Sequence, residues 1–410
     1  MVNCICGHEE ITQSPGLDSP NFWNHWEQLS KRQTNALNSL TKATLDGLQR
    51  LSQSLLTTEA NSIFSPCTLY CALLCLSATC NGASQEEILT AIACEKGHEQ
   101  TALEAVREGI TGDSGLSLCS MASSMWMSDH ILFKGKAIQE LCESFHTDAF
   151  IGSMASDEMD SAMQKWINDN TGNLLKQQTR AIKTTTNTAM EMITTLHFKA
   201  KWFHEFWDRN TTRGDFYLNE NDTVRCSYMV GTEDTDCYIS DNFIAVEKSL
   251  EFGYSMWFLL PNPGVTLAKL RTDSETIAFL TSPSTFPCEE YRVTFRIPRF
   301  DVCAKMDIRS AMHKMGIHSI FDVATADFSK ISDNNRLFLG KAEHVARIQI
   351  TEEGVEAAAF VDFGCVAAGI PPELKKLEFS LDRPFLFAIS KRGKVPLYIG
   401  TVTDPSQKVW

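Results

Sequence analysis

Residues Thr351 to Glu373 read TEEGVEAAAFVDFGCVAAGIPPE. Taken in steps of two, Val355, Ala357, Ala359, Val361, Phe363 and Cys365 are all apolar. The interleaved set, Glu356, Ala358, Phe360, Asp362, Gly364 and Val366, is mixed. Successive side chains of a strand point to opposite faces, so this is a strand pattern with one face for a core. The segment nevertheless ends in Gly-Ile-Pro-Pro near the C-terminus, which is the chemistry of an exposed loop. A native central strand is not normally followed by such a run. The stretch carries the buried face of a strand where the chain reads as a loop.

The chain around it has 410 residues, 43% of them hydrophobic, enough for a large core. Its charged residues (21%) are interspersed, and the formal charge is −14. So acidic a chain with no basic run longer than Lys31–Arg32 or Lys375–Lys376 is not expected to bind nucleic acid or heparin. No apolar run approaches the roughly 20 residues of a membrane helix, so no membrane partner is expected. The start, MVNCICGHEEITQ, lacks a basic and an apolar region, so no cleavable leader is expected. The compartment would then be the cytoplasm, or the extracellular space after leaderless secretion.

Fourteen cysteines are many, yet no CxxC pair or Cys/His cluster has zinc spacing. Cys67, Cys71 and Cys75 stand four apart, on one stripe of a helix, where a thiol packs as a small hydrophobe. Without a leader, free thiols are expected, with Cys365 in the loop the most reactive. Asn210-Thr-Thr and Asn221-Asp-Thr are glycosylation sequons, relevant in a secretory lumen.

Residues 1–33 read as a polar, irregular extension, and 34–410 as one domain without a linker. Ser65-Pro66 begins a helix, with proline in its tolerated first turn. Further helices are expected near 84–94, 99–110 and 136–146, and SAMQKWINDNTGNLL should stop near Gly172. TAMEMITTLHFKAKW, YSMWFLL, YRVTFRIPRF, ARIQI, PFLFAI and VPLYIGTV read as strands. Helices early and strands late make this α+β. No nucleophile elbow, HExxH or phosphate loop occurs, so no enzyme and no cofactor or metal is expected.

EEGVEAAA at 352–359, then IPPE and FSLDRPFLFAIS, resembles the hinge, reactive-centre loop and C-terminal strands of the serpin family. NSIFSP at 61–66, WINDNT at 166–171, HFKAKW at 197–202 with Phe206, Thr212 with Phe216, HVARIQITEEG at 344–354 and YIGTVTDP at 398–405 follow in family order. The resemblance implies a metastable single domain with three β-sheets, about nine helices and a loop at about 352–374. When a protease cuts the loop, its N-terminal part enters the main sheet as a new central strand. The apolar set counted above would face inward.

Further expectations follow from the resemblance. The hinge is Glu352, Glu353, Gly354, Val355, Glu356, Ala357, Ala358 and Ala359. Family inhibitors usually place Thr or Ser at Val355; Phe360 is bulky but faces outward by parity. Ser65, Thr68, Thr194 and His344 would form the cluster where the sheet opens, with Thr194 in place of the usual asparagine. Trp202, Arg299 and Glu352 would clasp the top of the sheet. Seventeen residues from Glu352 place the scissile bond at Ala368–Gly369, with Val366 and Ala367 as alternatives. A small residue there suits an elastase-like protease, which the chain, as a monomer, would trap covalently as a suicide substrate. The alternative is a non-inhibitory member with a chaperone, carrier or storage role.

Overall fold

The computed structural model of the chain describes residues 2–6, 13–15, 19, 21–56, 60–355 and 374–407. Its helices are α1 (Phe22–Ser39), α2 (Lys42–Leu55), α3 (Pro66–Thr79), α4 (Gly82–Ala91), α5 (Glu99–Ile110) and α6 (Gly135–Phe145). They continue with α7 (Asp157–Asp169), α8 (Lys176–Thr179), α9 (Leu267–Thr272), α10 (Ser274–Thr281) and α11 (Arg309–Lys314). Among the described residues these are eleven, against about nine expected, and α8, α9 and α11 have six residues or fewer.

The first strands are β1 (Asn3–Cys6), β2 (Ser62–Phe64), β3 (Gly112–Asp113), β4 (Ser117–Ser128), β5 (Thr147–Gly152) and β6 (Met190–Lys201). Next come β7 (Thr212–Tyr217), β8 (Thr223–Ile239), β9 (Phe243–Leu250), β10 (Tyr254–Pro261), β11 (Glu289–Pro298) and β12 (Phe300–Asp307). The last are β13 (Glu343–Ile350), β14 (Gly354–Val355), β15 (Lys376–Ser380), β16 (Phe385–Lys391) and β17 (Val395–Val402). The main sheet runs β1-β5-β4-β6-β14-β13-β12, with β3 on β4. The second network runs β15-β11-β8-β9-β10-β16-β17-β2, with β7 on β8. It joins what would otherwise be two sheets because β8, 17 residues long, pairs β7 and β11 along most of its length and β9 at its end.

Local sequence explains the pieces that position the site. Ser65 caps α3 by accepting from the Thr68 amide, and Pro66 fills the first turn, where no amide partner is lost. Nearly all of α3 is buried, including Cys67, Cys71 and Cys75. Burial pushes the Cys67 thiol up to about 11 and Cys75 up to about 12, which keeps both inert. Ten described cysteines, Cys67, Cys71, Cys75, Cys80, Cys94, Cys119, Cys226, Cys237, Cys288 and Cys303, are free thiols. Titration in denaturant without reductant is expected to find thiols; several disulfides would contradict the free-thiol reading.

Two readings change. The expected strand YRVTFRIPRF is divided at Arg299 into β11 and β12, which lie in different sheets. The segment read as irregular holds β1, paired antiparallel with β5 at the edge of the main sheet, and the first half of α1. Helix α1 crosses the boundary at residue 33 and buries Phe22, Leu29, Gln33, Ala36 and Leu37. The Gln33 amide donates to Thr111 O at 3.1 Å, so a polar residue closes its apolar stripe.

Candidate functional site

The loop's start is already part of the main sheet. Gly354 and Val355 form β14 between β6 and β13: Gly354 stands opposite Lys201, and Val355 opposite both Ala200 and Ile350. Val355 is buried, as its parity required. A tight turn precedes it, with Thr351 N donating to Gly354 O at 3.0 Å. A Cβ on Gly354 would lie 2.3 Å from Ala200 O and 2.7 Å from Lys201 Cα, so only glycine fits this backbone approach. Below Val355, β6 and β13 make no ladder hydrogen bonds to each other among the described residues. The line between β6 and β13 along which β14 would continue is called the slot below.

Glu352 is the anchor above this slot. Its buried carboxylate accepts from Arg299 Nε at 2.7 Å and from Thr211 Oγ1 at 2.5 Å, and Arg299 Nη2 completes the ion pair. Burial alone would push the carboxyl pKa up; the bonds from Arg299 and Thr211 outweigh it and hold the group below its ordinary range. The clasp therefore contributes stability above the usual carboxylate pKa and loses it as the pH falls through the lowered value. Trp202 completes it by its indole bond to Thr351 O at 2.9 Å and its amide bond to Glu353 O at 3.0 Å. Arg299 also reaches Asp208 at 3.3 Å. Thr211 and Asp208 were not foreseen; the only signal near them is the sequon at Asn210. Asn210 and Asn221 are both exposed.

Glu352→Lys would set two cations against each other and leave the top of the slot unclasped. The variant is expected to form polymers, or a spontaneously inserted monomer, on mild heating. Native electrophoresis reads this directly, and a variant as monomeric and active as the parent would refute the clasp.

Half-way down the slot lies a cavity of about 40 Å³, lined among others by Ser65, Thr68, Thr194 and His344. Ser65 N donates to His344 Nε2 at 3.0 Å, and the Ser65 and Thr68 hydroxyls are 2.7 Å apart. Thr194 joins the lining but not this network. Its shorter side chain pairs with Ser123 of β4 at 3.1 Å instead. Burial holds the His344 imidazole down to about 4, so Nε2 is the acceptor. Below its ordinary value the unfolded chain takes a proton that the folded one refuses, so stability falls as the pH drops from about 6.5 towards 4, by about 3 kcal/mol. His344→Gln is expected to flatten that part of the profile; urea unfolding at several pH values checks it.

One flank of the slot is tied down by Arg347 of β13. It bonds Asp301 on β12 at 2.9 and 2.6 Å and Leu174 O, in the turn after α7, at 2.9 Å. Glu356, Ala357, Ala358 and Ala359, the candidate bond Ala368–Gly369 and the alternatives Val366 and Ala367 lie outside the described residues. So does Cys365. Among the described residues no three His, Cys, Asp or Glu are placed to hold a metal ion, and no helix is long and apolar enough to cross a membrane.

The pattern of the family described as Serpin (serine protease inhibitor) matches residues 38–405. Alpha-1-antiproteinase 2 of Equus caballus is 26% identical over 368 residues, covering 85% of this chain and 82% of that protein. The native crystal structure of tengpin, a thermophilic serpin, superposes with a TM-score of 0.77 at 18% identity, covering 97% of both chains. Thyroxine-binding globulin in complex with thyroxine superposes with a TM-score of 0.73 at 20% identity, covering 89% of this chain and 99% of its own. At such identities these two structures speak for the fold. A strand-like loop entering the main sheet at a glycine, a clasp above the slot, and a family match across most of the sequence agree: the chain belongs to the serpin family.

Proposed function

We propose that the protein is a suicide-substrate inhibitor of serine proteases that prefer a small residue, elastase-like enzymes above all. The observation that carries this reading is the two-residue strand β14 between β6 and β13, which do not pair with each other below it among the described residues. The loop's first apolar residue, Val355, is already seated in the position that the inserted strand would continue. The chain supplies bait and no catalytic group. The protease serine attacks the Ala368 carbonyl, expels the Gly369 amine and forms an acyl-enzyme. Insertion of 356 onward then carries the acylated protease across the sheet before water can attack the ester. Incubation with pancreatic elastase is the test. A complex that survives SDS and boiling is expected; clean cleavage at Ala368 without a complex would place the protein among non-inhibitory members.

A further inference from the structure

Beside Phe203, residues of β8, β9 and β10 form one wall of a cleft. Glu247 of β9 stands opposite Trp257 of β10, and Ser249 opposite Ser255. Asp236 of β8 lies one step beyond the Cys237–Val246 pair, in the same cross-strand row as Glu247. The opposite wall is the segment after α10, including Phe286 and Cys288, and the hairpin turn at Arg392–Gly393. Ser284 ties these two together by donating to Gly393 O at 2.8 Å. Together they enclose a cleft of about 620 Å³, within the range of small-molecule sites. The Phe203 amide donates to Ser249 O at 2.9 Å, which holds its exposed ring at the mouth.

The charges inside are unbalanced. Glu247 makes no ion pair among the described residues, and Ser249 and Ser255 line the cleft beside it. Lys248 points to the other face, where it bonds Glu233 at 2.5 Å. Arg392, the cleft's one cationic lining residue, is drawn to Ser30 of α1 at 3.2 Å. The carboxyl of Glu247 is pushed up to about 7, first by burial and then by the neighbouring Asp236 and Glu233 charges. Cys288 faces the same space and is neutral, its thiol pushed up to about 11 by burial. Trp257, Tyr254, Phe286 and Phe203 line the rest, and aromatic faces attract cations.

We infer that this cleft binds a small organic cation, a protonated amine on an aromatic or apolar body, with the ammonium between Glu247 and Asp236. An anion would meet two carboxylates with Arg392 already engaged. A neutral body would leave Glu247 without a counter-charge, which a buried carboxylate disfavours. Bound amine would favour the ionised Glu247, so affinity should rise with pH through about 7 while the amine itself stays protonated.

Dansylcadaverine, a fluorescent primary amine, is the probe, with its N-acetyl derivative and anilinonaphthalene sulfonate as neutral and anionic controls. Saturable binding at pH 8 is expected, with energy transfer from tryptophan that Trp257→Phe diminishes. Binding should weaken between pH 8 and 6. Glu247→Gln should weaken it about ten- to a hundredfold and abolish the pH dependence. Asp236→Asn, at an exposed position, gives a milder loss and serves if the Glu247 variant does not fold. Equal binding of the acetylated probe, binding of the anion alone, no saturable binding of the amine, or full affinity in both variants would overturn the site.

Discussion

Cutting the loop anywhere between Phe363 and Gly369 is expected to raise the melting temperature by about 10 °C or more. An ordinary nick loosens a fold or leaves it unchanged. Here the freed segment would extend β14. Residues below Ala200 on β6 and below Ile350 on β13 have no ladder partner across the slot among the described residues. An inserted strand supplies one on both sides, each hydrogen bond contributing about 1 kcal/mol net. It also buries Val361 and Phe363, each worth roughly 1.5–3 kcal/mol. At about 2.1 cal/mol/K per residue, a chain of this size needs roughly 1 kcal/mol per degree, so a shift of that size means a large release of strain. Calorimetry of intact protein and of protein nicked by a non-target protease decides it. An unchanged melt would mean that the slot is never filled.

Ala359→Arg is expected to turn the inhibitor into a substrate. Val355 fixes the parity, so Ala359, four residues on, faces the same buried side. Arginine there would carry an unpaired charge into the sheet at a cost of several kcal/mol. Each 1.36 kcal/mol slows insertion about tenfold, so deacylation would win by a hundredfold or more. Cleavage would continue while the SDS-stable complex disappears. The neighbouring outward position gives the control: Ala358→Arg should inhibit nearly as well as the parent. An unchanged stoichiometry of inhibition in the Ala359 variant would refute the parity.

Much of the fold was legible where one rule dominates. Ser65-Pro66 announced α3 because cap and first-turn chemistry are local. The strands β16 and β17 were read from dense apolar runs, since both of their faces are covered. Strand β8 was not: its surface alternates between buried and exposed positions, and TEDTD in its second half reads as a loop. Helix α1 escaped for the opposite reason, because its buried stripe contains Gln33, whose partner lies across 78 residues of chain. The clasp was visible at Arg299 and Glu352 through family resemblance. Thr211, 141 residues from Glu352, has no pattern in sequence that would pair the two.

The pairing of Val355 with Ala200 also makes the loop a ruler. In an antiparallel pair the partner numbers sum to a constant, here 555, so on insertion Cys365 would arrive opposite Met190, the first residue of β6. Val366, Ala367 and Ala368 then overhang the end of the sheet, by about 3.3 Å each. In the proposed mechanism the acylated residue would be delivered beyond the edge, where the sheet no longer offers room for an undistorted protease to sit. Removing three residues between Ala359 and Ala368 would keep the register and the apolar start yet leave the ester level with Met190. Trapping, if the chain inhibits as proposed, would be a matter of travel measured out by chain length, set before any protease arrives.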